Sequence, residues 1–186
     1  MAKTNVLTLM SDWAVSTGAF RRNKTSVEKK VVAAGLCNAG FSYRGVAGML
    51  GGLSYIGVRD AFVSLGRSMP GEARAAREQV AIDGSDVRID GTGFYLWLAR
   101  DVVSGNIMAF HGSPSGSAED GARFLADVGR LCANRPAVRL GQPYDALKGM
   151  QNLDLYFEAE ADQPESMSLI GRIGRLFMGS PVRRIE

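Results

Sequence analysis

After Glu78 the hydrophobic period of this chain changes. Before that point, apolar residues recur every three or four positions. Beyond it they alternate: Val80 and Ile82, then Val87 and Ile89. The first spacing is that of helices with one buried face, and the second is that of strands. Blocks of each kind in this order predict an α/β (α+β) chain: helices first, then a sheet with further helices. The resulting division is a helical head over residues 1–70 with an N-terminal arm, a linker at Met69-Pro70-Gly71, and a body over residues 71–186.

The head reads as three short helices. Val27, Val31, Val32 and Leu36 follow Ser26, a cap residue, and Gly40 ends the run. Ser42 caps a second helix with Tyr43, Val46, Ala47 and Leu50 on one side. After the Gly51-Gly52 turn, Ser54 caps a third, with Val58, Phe62 and Leu65 inward. Two helices of this length joined by a glycine turn outline a helix-turn-helix. The third helix would enter the DNA major groove with Ser54, Tyr55, Gly57, Arg59 and Asp60 at its leading end. An arginine there can pair with a guanine edge, worth about 1–3 kcal/mol of discrimination. Arg44 and the cluster Arg21, Arg22 and Lys24 are placed to hold phosphates. Charge agrees: residues 1–70 carry nine lysines and arginines against three acids, Asp12, Glu28 and Asp60, whereas the rest leans acidic. That footprint suits double-stranded DNA. The bland alternative is a three-helix packing unit with a solvated basic face.

The body opens with three antiparallel-type strands. Asp90-Gly91 is a hairpin turn signal, Phe94 to Ala99 is apolar on both faces like a central strand, and Ile107 to Phe110 follows the Ser104-Gly105 turn. A helix capped by Ser117 buries Phe124, Leu125, Val128 and Leu131, and a strand covers Ala137 to Leu140. A helix around Tyr144 to Met150, a strand near Leu153 to Phe157 and a last helix from Ser166 to Met178 complete the order. Three strands followed by alternating helices and strands is the order of a ribonuclease-H-like sheet.

Other features narrow the chemistry. Cys37 and Cys132 lie far apart among small and apolar residues and read as buried thiols of a cytoplasmic protein. No apolar run is long enough to span a membrane, and no signal-peptide pattern opens the chain. With His111 the single histidine, histidine triads and histidine metal clusters are not expected.

Several segments, in order, resemble insertion-sequence transposases of the DDE type. Phe41-Ser42-Tyr43-Arg44-Gly45-Val46-Ala47 is similar to the family's LSYR-x-VA, and Ser54 to Phe62 to its recognition helix, S-x-x-x-V-R-x-W. Ala81-Ile82-Asp83-Gly84-Ser85 resembles A-x-D-E-T, the strand with the first catalytic aspartate. Phe94 to Asp101, Ala122 to Leu125, Pro143 to Leu147 and Ser168 to Arg172 resemble Y-W-L-Y-A-A-x-D, A-x-x-FL, P-W-Y-x-x-AL and N-x-I-E-R. The resemblance implies a ribonuclease-H-like domain, a homodimer or larger assembly on DNA, and Mg²⁺-dependent phosphoryl transfer. It also implies more helix beyond Glu186 than the chain has.

Two-metal phosphoryl transfer needs hard carboxylate ligands around both ions. Asp83 matches the first and is the candidate catalytic and metal residue. The second should lie at the end of the strand near Ala137 to Leu140, where the family has V-D-G; here Val138-Arg139-Leu140-Gly141-Gln142 carries no acid, Arg139 places a cation near the vacant site, and Asp145 is the nearest acid. The third falls on Gly171, in a segment that Gly174 weakens further. Glu158 and Glu160 are candidate substitutes, and Asp86, Asp90 and Asp101 could approach Asp83 along the hairpin, although a solvated edge for Asp86, a turn for Asp90 and a strand-closing role for Asp101 suit them better. The expectation is a transposase-like DNA-binding protein that has lost its triad, with Mg²⁺ weakly held if at all. The alternatives are an active Mg²⁺-dependent transposase with ligands from other residues, and a helix-turn-helix regulator whose body binds a ligand or dimerises.

Overall fold

The computed structural model describes residues 5–20, 24–69 and 73–141. Arg21, Arg22 and everything expected after Gly141, including Asp145, Glu158, Glu160, Gly171 and Gly174, lie outside the described residues. The described part is mixed α/β, with five helices and one four-stranded sheet. In chain order these are α1 (Val6–Ser16), α2 (Val27–Asn38), α3 (Tyr43–Leu50), α4 (Tyr55–Ser68), β1 (Gln79–Ile89), β2 (Thr92–Asp101), β3 (Ile107–Ser113), α5 (Ala118–Arg130) and β4 (Ala137–Leu140).

Each helix of the head starts where a side chain satisfies its free N–H groups. Ser26 Oγ accepts from Lys29 N, Ser42 Oγ from Gly45 N and Ser54 Oγ from Gly57 N. The N-terminal arm is itself helical: Asn5 caps α1, whose buried residues include Val6, Met10 and Ala14 at four-residue spacing. That spacing is the signal for α1 in the sequence. Ser117 and Asp120 form a reciprocal capping box at α5.

The sheet runs β3-β2-β1-β4, with β4 parallel to β1 and the other neighbours antiparallel. The β1–β2 hairpin turns at Asp90-Gly91, both with positive φ (49° and 83°), as a tight two-residue turn requires. Lys29 of α2 forms an ion pair with Asp90.

β1 is covered on both faces, which explains why its alternation breaks between Ile82 and Val87. Val80 and Ile82 join the core under α5, whereas Val87 and Ile89 join the core under the head helices. Between them Asp83, Gly84 and Ser85 are all buried. Ser85 Oγ accepts the backbone N–H of Val6, tying the start of α1 to the sheet. Gly84 leaves room for Tyr95, whose ring a Cβ there would overlap. Tyr95, Trp97, Phe124 and His111 form a row of aromatic contacts under α5. Burial holds the His111 imidazole below its ordinary pKa despite Asp127 Oδ2 at 3.5 Å from Nε2. Near neutral pH the two therefore make a weak polar contact rather than an ion pair. Cys37 and Cys132 are both free and buried, and burial pushes the Cys37 thiol up to about 11.

The head shares its core with the sheet. Leu36 and Val32 of α2, Met10 of α1 and Val58 and Leu65 of α4 belong to one buried cluster with Phe94, Leu96, Leu98, Ile107 and Phe110. α2 lies on β3 at backbone contact: a Cβ on Gly112 would come within 2.9 Å of the Leu36 nitrogen. Asn38 Nδ2 donates to the Phe110 carbonyl at 2.7 Å. α3 and α4 then pack on the outside of α2.

Candidate functional site

Two regions carry the residues singled out by the sequence. The first is the outer edge of α3 and α4. Ser42 and Ser54 cap the two helices, and a contact between Arg44 and Tyr55 sets their leading ends side by side. Arg44 stacks its guanidinium over the Tyr55 ring at 5.5 Å. This contact restrains two long side chains without hiding them, since both residues remain exposed. Tyr43 and Phe62 meet beneath, with ring centroids 6.1 Å apart, and fix α3 against α4.

Along α4 the buried residues are Val58, Ala61 and Leu65, so Tyr55, Ile56, Arg59 and Asp60 share the solvent side. Lys24 is exposed ahead of α2. Gly57 is half-buried, and a Cβ there would meet Leu53 and Ser54 at ordinary contact distance, 3.4 Å and more. It is not part of the exposed set. Ile56 is the residue that sequence reasoning missed: it is 50% exposed beside Tyr55 at 48%. Its position one residue from Tyr55 on an amphipathic helix was the available signal.

The second region surrounds Asp83. It lies in the middle of β1, opposite Leu98 of β2, rather than at a strand end. The strand is longer than the two short alternating runs suggested, because its polar middle is stabilised by partners. Asp83 is 6% exposed, and its Oδ2 accepts from Arg100 Nη2 at 2.8 Å. Arg100 projects from β2 on the same face, and its side chain is 33% exposed. β4 ends alongside: Gly141 N donates to the Ile82 carbonyl at 2.7 Å, and a Cβ on Gly141 would overlap Asp83 Oδ1. The glycine that follows β4 is thus packed against the first carboxylate.

The other acids do not gather there. Asp86 is exposed, Asp90 occupies the hairpin turn, and Asp101 pairs with Arg77. Among the described residues no group of three or more His, Cys, Asp or Glu side chains could hold a metal ion. The residues around Asp83 do not fit Mg²⁺, because Arg100 already supplies the positive charge that its carboxylate needs.

Arg77 was not foreseen. It precedes β1 in an extended segment and is buried, donating to Asp101 Oδ2 at 2.6 Å. Asp101 Oδ1 accepts from the backbone N–H groups of Val103 and Ser104, closing the β2–β3 turn. The Ser104 hydrogen bond, with help from Arg77 and Val103, holds the Asp101 carboxyl below the usual carboxylate range against the opposing effect of burial.

No helix among the described residues is long and apolar enough to cross a membrane. No protein-family model and no solved structure matches the chain. It is similar to an uncharacterized protein of Methanocaldococcus jannaschii, with 26% identity over 122 residues, which is 64% of this chain and 57% of that protein. The chain therefore spans little more than half the length of this relative.

Proposed function

We infer that the chain is a transposase-like protein that binds double-stranded DNA through α3 and α4 and lacks a working phosphoryl-transfer centre. The observation that carries the DNA reading is the exposed Arg44–Tyr55 stack at the joint leading edge of two serine-capped helices, with Arg59 one turn along. α4 would lie in the major groove, Arg59 pairing with a base edge while Arg44 and Lys24 hold phosphates. The sheet order, with β4 parallel to β1 beside Asp83, supports the ribonuclease-H-like reading of the body. The Asp83–Arg100 pair supports the loss of metal-dependent chemistry. Among the described residues Asp83 is engaged by Arg100, and in this reading the pair acts as a structural brace between β1 and β2.

Binding of a labelled duplex by the full chain tests this. Affinity is expected to fall steeply between about 50 and 200 mM salt, with a log–log slope that drops by about one for Arg44→Ala and again for Lys24→Ala. Salt-independent retention, or none, would sink the DNA reading. In the same reactions, Mg²⁺ or Mn²⁺ should yield no cleaved or joined product. Metal-dependent product that disappears in Asp83→Ala would overturn the inactive centre and restore the reading of an active transposase.

A further inference from the structure

We propose that Tyr55 and Ile56 form a reader of thymine methyl groups, so that the duplex bound by α4 carries a thymine next to the guanine contacted by Arg59. This rests on the DNA-binding reading above. Two large apolar residues stand about half in water in the first turn of a helix whose inner side is already filled by Val58, Ala61 and Leu65. Val102 and Val103 in the β2–β3 turn are also an adjacent exposed apolar pair; what sets Tyr55 and Ile56 apart is their place at a capped helix start with Arg44 stacked on one of them. The surroundings select the occupant. Arg44 braces Tyr55 from α3, and Arg59 follows one turn on with Asp60 beside it, so the surface that fits is anionic on the Arg44 side of an apolar spot and offers a donor to Asp60. DNA presents that combination in the major groove, where the thymine 5-methyl is the apolar group on a base edge framed by phosphates.

Ile56 and Arg59 are three residues apart, so both fall on one side of α4 within a single turn. Asp60, adjacent and exposed, can accept from a cytosine amino group and disfavours phosphate at the same place. The three side chains therefore address three different groups on base edges: a methyl, a guanine acceptor pair and an amino donor.

The test starts from a random duplex pool selected on the full chain. Selected sites should share a thymine adjacent to a G·C pair. Replacing that thymine by deoxyuridine, which removes only the methyl, should weaken binding about three- to fivefold in the natural protein. It should have no further effect on Ile56→Ala, which is itself weakened by a similar factor. Replacing the guanine by 7-deazaguanine should weaken both proteins alike. Selected sites without thymine, or a uridine penalty that persists in full in Ile56→Ala, would overturn the proposal. Failure to retain any duplex would instead defeat the DNA-binding reading itself. A DNA-free protein whose sedimentation drops to a smaller species on Ile56→Ala would show the pair to be a contact between copies of this chain, which also overturns it.

Discussion

Replacing Arg77 by methionine should destabilise the protein by about 3–5 kcal/mol, because it leaves the carboxylate of Asp101 buried without its cation. Arg77 and Asp101 are separated by 2.6 Å, and both side chains are at most 10% exposed. At roughly 2–4 °C per kcal/mol for a chain of this size, the midpoint of thermal unfolding should fall by about 6–20 °C. The double variant Arg77→Met with Asp101→Leu should regain much of the loss, since removing both charges also removes their desolvation. A residual deficit of about 1 kcal/mol is expected from the lost hydrogen bonds to Val103 and Ser104. The pH dependence has a definite sign. The folded pKa of Asp101 lies below its unfolded value, so its contribution is complete above about pH 4 and is lost as pH falls through the folded pKa. Acid unfolding should therefore begin at higher pH in Arg77→Met. A variant that melts within a degree of the natural protein would show that this pair is solvated in solution.

The second large effect is expected at Gly112. A Cβ there would lie 2.9 Å from the Leu36 nitrogen and 3.1 Å from the Gly35 carbonyl carbon, both backbone atoms of α2. Backbone cannot rotate aside, so Gly112→Val must lift the helix from β3, at a cost of about 1–3 kcal/mol or more. Gly35→Ala, which adds one methyl against the buried Phe110 ring at 3.0 Å and the Gly112 nitrogen at 3.2 Å, should cost less than Gly112→Val, whose larger side chain meets helix backbone first. Thermal melts of the two variants give the comparison directly, and equal losses would refute the argument. Because α3 and α4 rest on α2, Gly112→Val should also weaken DNA retention, whereas Arg77→Met, whose partner Asp101 ends β2, should not while the protein stays folded.

The helices and strands of the described region were largely legible because each carries its own punctuation. Ser26, Ser42, Ser54 and Ser117 mark helix starts with a hydroxyl the backbone needs, and Asp90-Gly91 marks a turn that only such residues make easily. Neither the Asp83–Arg100 nor the Arg77–Asp101 pairing was legible. The first joins β1 to β2 across 17 positions and the second spans 24. Nothing local distinguishes a buried arginine from a solvated one; only the sheet register sets its partner. The packing of the helical head on the sheet was hidden for a similar reason. Val32, Leu36, Leu96 and Phe110 each read correctly as core, but periodicity does not say which buried faces meet. Ile56 was passed over because a helix pattern identifies inward residues well and says little about an apolar residue facing water.

α2 has one further consequence. From Val31 to Cys37 every residue is buried, so the helix has no wet side over two turns. A helix of that kind behaves as a wedge driven between two layers: shear on either layer meets the same tightly filled contact, and sliding it by one residue would drive side chains into backbone at Gly112. The α3–α4 edge is thus mounted stiffly on the sheet rather than hung from a tether. Torque applied to α4 by a twisting or bending duplex would be felt at β3, and stiffness of this kind would fix the angle between α4 and the sheet.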